Sequence, residues 1–119
     1  MQTINRKIGD FDDLLFECDL SAYGKTNLDI EDIVFSVKKD EKSADDSIFL
    51  KKYSLNEISF SGTNILSILV QWDYNEYTKV SVGQKYKAGL FIKFIGDPIV
   101  DEHVDQIFNL EILQDFLRI

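Results

Sequence analysis

Between residues 85 and 94 the side chains alternate in character. Tyr86, Ala88, Leu90, Ile92 and Phe94 fall on one side of the chain, and Lys85, Lys87 and Lys93 on the other, with Phe91 among them. A repeat of two places successive side chains on opposite faces of an extended backbone, so this segment predicts a half-buried β-strand. Val82-Gly83-Gln84 supplies the turn that opens it. The same period recurs where Leu14, Phe16 and Cys18 alternate with Leu15, Glu17 and Asp19. It recurs again where Ile33, Phe35 and Val37 alternate with Val34, Ser36 and Lys38.

The rest of the chain follows this rhythm. Residues 47–53 predict another strand, and 57–61 a short one ended by Gly62. Residues 64–72 are almost continuously apolar, the pattern of a strand covered on both faces at the centre of a sheet. Residues 39–46 are polar throughout and predict an exposed loop or hairpin tip. Residues 73–79 break the pattern and predict one helical turn, with Asp73 as N-cap and Glu76 at the third helical position. Gly96-Asp97-Pro98 carries loop chemistry. Residues 103–119 have two readings, a helix face or a hairpin turning at Gln114-Asp115. The hairpin is preferred because the segment lacks alanine and the rest of the chain is strand. Seven or more short strands separated by turn signals predict an all-β fold: a single antiparallel β-sandwich domain over residues 1–119, with at most one short helical turn near 73–79. Fifteen aromatic residues agree with it, since flat rings pack well on a pleated surface.

Charge narrows the function. Thirteen basic against 21 acidic residues leave a formal charge of −8, which argues against direct nucleic-acid binding and against anionic membranes. The charge is uneven. Residues 10–32 carry eight acidic groups and Lys25; residues 94–119 carry six and Arg118; residues 33–93 carry nine basic against seven acidic groups. If the ends meet in the fold they form an acidic pole suited to ordered contacts with a neighbour; otherwise they are a solvated surface that maintains solubility. Basic residues Arg6 and Lys7 are followed by no apolar stretch of a secretory signal, and no apolar run reaches the ~20 residues of a membrane span. The expectation is therefore a cytoplasmic protein.

Reactive groups are sparse. Cys18 is the one cysteine and His103 the one histidine, so no disulfide, thiolate cluster or histidine metal site is expected, and no catalytic residue or cofactor. The acidic doublets Asp12-Asp13, Asp45-Asp46 and Asp101-Glu102 lack the alternating spacing of a calcium loop. Trp72, Tyr74 and Tyr77 would make a sugar-stacking platform, unless Trp72 belongs to the core strand and the tyrosines cover its end. The acidic stretch 10–19 would imitate nucleic-acid phosphates, although the lysines of the middle segment speak against it.

The order of segments is itself informative. A short lead ends in Gly9-Asp10 and runs into Leu14-Leu15-Phe16-Glu17-Cys18-Asp19-Leu20. Leu28-Asp29 and Ile33-Val34-Phe35-Ser36-Val37-Lys38-Lys39 follow, then a strand ending at Trp72-Asp73, then Gly83-Gln84-Lys85-Tyr86-Lys87-Ala88-Gly89-Leu90. This resembles the small immunoglobulin-like β-sandwich domains of tailed-bacteriophage structural proteins, including the N-terminal domain of phage baseplate upper proteins. The resemblance covers most of the chain and is one of strand pattern. It implies a non-enzymatic virion protein, assembled in the host cytoplasm, that contacts other virion proteins in multiple copies on a symmetric ring or lattice. No long fibre-forming extension follows, so the expectation is a head–tail connector, tail, baseplate or capsid-accessory subunit rather than a receptor-binding protein. The expected partner-binding residues are Asp10, Asp12, Asp13, Asp101 and Glu102, with the outward-facing Phe91. The alternatives are a carbohydrate-binding module for host attachment, using Trp72, Tyr74 and Tyr77, and an acidic inhibitor of a host DNA-binding protein.

Overall fold

The computed structural model describes residues 3–7, 12–40, 49–96 and 103–113, apart from the side chains of Lys7, Tyr74, His103, Val104 and Asp105. Within them the chain forms eight strands: β1 (Thr3–Lys7), β2 (Leu14–Asp19), β3 (Ile30–Lys38), β4 (Phe49–Lys52), β5 (Ile58–Ser61), β6 (Ile65–Val70), β7 (Lys85–Phe94) and β8 (His103–Leu113). They make two sheets, a five-stranded one ordered β1-β8-β7-β3-β4 and a three-stranded one ordered β2-β6-β5. The fold is all-β.

One edge departs from the antiparallel expectation. β1 runs parallel to β8, pairing Thr3 with Asn109 and Lys7 with Leu113, whereas every other pairing is antiparallel. Parallel neighbours need a long crossover, and here β2 to β7 all lie between the two paired strands. A sequence-local alternation carries no information about that pairing.

Alternation decides what each sheet turns inward. Phe16 of β2 packs its ring 5.8 Å from Phe35 of β3 and 5.0 Å from Phe108 of β8, joining the two sheets through one core. Leu66, Ile68 and Val70 line that core from β6, and Ile33, Val37, Leu90, Ile92, Leu110 and Ile112 from the larger sheet. Full burial of each such aliphatic side chain is worth about 1.5–3 kcal/mol.

Two further expectations are corrected, and the preferred strand reading of residues 103–113 is met. β6 is central in its sheet but covered on one face only: Ile65 remains 60% exposed and Leu69 40%. Its continuous apolar run therefore describes a strand with an apolar outer face left to solvent. Residues 103–113 form one strand, not a helix, and the Gln114-Asp115 turn lies outside the described residues. There are four 3-10 turns among the described residues, Leu20–Tyr23, Asn27–Asp29, Tyr53–Leu55 and Tyr74–Lys79, where one was expected. Three of them are nucleated by short polar side chains that bind the backbone two residues ahead. Asp19 accepts from the Ser21 amide, Thr26 from that of Leu28, and Asp73 from that of Asn75. The β5–β6 turn depends on Gly62, whose φ of +103° is left-handed and whose missing Cβ would collide with the Ile65 carbonyl oxygen.

One end of the core is closed by Trp72, which is 2% exposed. Its ring lies edge-on to Phe49 at 5.3 Å and to Tyr77 at 5.7 Å, and the Arg6 guanidinium lies 5.4 Å from the ring centre. Arg6 is also buried and donates from Nη2 to the Asp12 carbonyl oxygen at 2.7 Å. Nearby, β4 turns Lys51 inward, and Glu76 answers it with a buried ion pair. Glu76 thus serves Lys51 instead of closing the expected capping box. Burial pulls the Lys51 ammonium downward, but the Glu76 hydrogen bond and the charges of Glu76, Glu57 and Asp73 outweigh it, leaving its pKa above the ordinary lysine value.

Candidate functional site

The two outer faces hold the candidate surfaces. On the larger sheet, strand register sets Ser36 of β3 beside Gly89 of β7, and Gly89 beside Ile107 of β8. The next row is Val34, Phe91 and Asp105, and the row on the other side is Lys38, Lys87 and Asn109. Gly89 contributes no side chain, so these rows enclose a trough of about 470 Å³ whose walls include Val34, Phe91 and Ile107. β4 extends the surface with Leu50 beside Ser36 and Lys52 beside Val34. Lys38, Lys52 and Lys87 therefore surround the trough, Lys87 donating to the Asn109 side-chain oxygen. Lys85 and Lys93 share the face and form ion pairs with Glu111 at 3.3 Å and Glu31 at 3.1 Å.

The smaller sheet presents a different chemistry. Its outward positions are Leu15, Glu17 and Asp19 on β2, Ile65, Ser67 and Leu69 on β6, and Ser59 and Ser61 on β5. Leu15, 61% exposed, lies beside Leu69 in the register. No lysine or arginine occurs on these three strands. The Asp19 carboxyl is held below its ordinary pKa by the Ser21 hydroxyl and amide, which stabilise the anion. β2 is also an edge strand, and a groove of about 300 Å³ runs along it, between Leu14–Glu17 and the Ile4 and Phe108 side chains.

Of the residues expected to bind partners, Asp12 and Asp13 are exposed immediately before β2, and Phe91 is half-buried in the trough wall. Asp10, Asp101 and Glu102 lie outside the described residues, as do Asp45 and Asp46. The strands nearest the two ends do pair, as β1 and β8, yet Asp12, Asp13, Glu17 and Asp19 lie on or beside the other sheet, and Glu111 of β8 pairs with Lys85. The smaller sheet's outer face thus carries acids alone, and the larger sheet's outer face carries lysines mixed with fewer acids. Trp72 and Tyr77, two members of the sugar-platform alternative, are buried with their rings edge to face. The Tyr74 side chain lies outside the description.

Ser36, Gly89 and Ile107, which shape the trough, were not singled out in the sequence. A glycine midway along a strongly alternating strand was the available signal, because such a position leaves a notch in one face. Cys18 is buried, and burial together with the Asp19 charge pushes its thiol pKa up. Among the described residues no group of three or more His, Cys, Asp or Glu side chains is placed to hold a metal ion, and no helix is long and apolar enough to cross a membrane. Comparisons with protein-family models, with curated proteins and with solved structures found no match to this chain.

Proposed function

We propose that this protein is a non-enzymatic structural subunit of a tailed-phage or prophage particle, an immunoglobulin-like β-sandwich that acts through protein contacts. A connector, tail, baseplate or capsid-accessory position would each use it in several copies. The observation that carries the protein-docking part is the apolar character of both outward faces. Leu15, Ile65 and Leu69 on one sheet, and Val34, Phe91 and Ile107 on the other, are placed where a soluble β-protein ordinarily carries polar residues. Contiguous exposed apolar surface marks interaction sites. The phage assignment is supported by the order of segments from Gly9-Asp10 to the Gly83–Leu90 strand opening.

Asp12 and Asp13 are exposed beside the β2 edge, and the Arg6 contact uses the Asp12 backbone oxygen, so both carboxylates can be changed without breaking it. The double variant Asp12→Lys/Asp13→Lys should fold normally by circular dichroism while its incorporation into particles falls. Incorporation at the wild-type level would refute the role given to this surface.

A further inference from the structure

We infer that copies of this chain associate head to tail, the outer face of the β2-β6-β5 sheet of one copy seating on the outer face of the five-stranded sheet of the next. The inference deepens the docking reading above and rests on it. Each face offers apolar surface: Leu15, Ile65 and Leu69 on the donor side, Val34, Phe91, Ile107 and Leu50 on the acceptor side. Their surrounding charges are opposite. Asp13, just before β2, and Glu17 and Asp19 on it flank the first patch, whose strands carry no cation, whereas Lys38, Lys52 and Lys87 hold register positions around the trough of the second and outnumber the Asp105 position beside Phe91.

Charge selects the geometry. A two-fold dimer through either face would set that face against itself, acids against acids or a lysine-rich trough against its like, and like charges across an interface cost several kcal/mol. Only the heterologous arrangement meets opposite charge while matching apolar surface to apolar surface. The smaller face also fits within the larger, three strands spanning ~14 Å against ~24 Å for five. A face of that width and ~20 Å length presents about 300 Å² in projection, well under the ~800 Å² per partner of a stable complex. Each contact is therefore weak, and a ring or stack that repeats it gains strength from number.

A charge swap on the purified full chain tests this. Wild-type protein is compared by sedimentation velocity across a concentration series in low salt and in 1 M salt, where the screening length shrinks to ~3 Å. Association that rises with concentration and collapses in high salt is expected. Asp13→Lys/Glu17→Lys reverses the donor face, and Lys38→Glu/Lys52→Glu the acceptor face. Each, with wild-type circular dichroism, should associate at least ~10-fold more weakly by itself. An equimolar mixture of the two should recover association, because each reversed face then meets a complementary one. A wild-type chain that stays monomeric overturns the inference. So does either variant associating like wild type, or a mixture that stays monomeric. None of those three results removes the protein from purified particles, so the particle-subunit reading would be judged separately by its presence there.

Discussion

The Lys51–Glu76 pair gives the sharpest energetic test of the fold, because both side chains are buried and each is the nearest counter-charge of the other. Glu76→Gln removes the carboxylate and leaves the ammonium with Glu57 at 3.6 Å, a group about one-third exposed. Orphaning a buried ion costs 3–5 kcal/mol, and the remaining Glu57 places the cost at the lower end, about 3 kcal/mol. With a urea m-value of about 1.5 kcal/mol/M, the unfolding midpoint should fall by about 2 M. Lys51→Met/Glu76→Leu, which removes both charges and keeps apolar volume, should return to within about 1 kcal/mol of wild type. Urea unfolding followed by tryptophan fluorescence reads all of these, since Trp72 is the sole tryptophan and packs on Tyr77 at the same end. The pair also fixes a pH dependence. A lysine pKa raised by folding stabilises fully below the ordinary lysine value, and that stability is lost as pH rises through the folded value. Melting temperature should therefore drop in strongly alkaline solution more for wild type than for the double variant. A single variant that loses less than about 1 kcal/mol, or a double variant as unstable as the sum of its parts, would refute the ion-pair account.

Two other outcomes follow from backbone and burial. Gly62→Ala should cost about 3 kcal/mol or more in a thermal or denaturant melt, because an alanine is strained at φ +103° and its Cβ meets the Ile65 carbonyl. Cys18 should resist iodoacetamide at neutral pH in the folded protein, since burial keeps its thiol protonated and shielded. Its labelling rate should rise in step with the unfolded fraction in urea.

Periodicity made the strand positions legible, and tertiary pairing was what it left out. Tyr86, Leu90 and Phe94 announce an inward face because their neighbours are largely lysines. In β4 the same logic fails: Phe49 and Lys51 share one face, Leu50 and Lys52 the other, so both faces read alike. The inward side is chosen by Glu76, 25 positions later, which a local pattern does not reveal. β6 misled for a related reason. Ile65 and Leu69 look buried to any hydrophobic count, and only the strand order shows that no described element covers their face. The surface was legible in part: Phe91 was recognised as outward, but the trough beside it needs Ser36 and Ile107 brought to Gly89 by two long-range registers. Segment charge totals are legible in the sequence and the placing of the charges is not: β2 and β8 enter different sheets, while Asp10, Asp101 and Glu102 lie outside the described residues.

As the particle subunit proposed above, the protein should travel with purified virions. Quantitative mass spectrometry of purified virions from the culture that makes it, set against the soluble lysate, reads this. Co-purification at a fixed multiple-copy ratio to the other particle proteins, persisting through a density gradient, is expected. Recovery in the soluble fraction alone, with purified particles free of the protein, would contradict it.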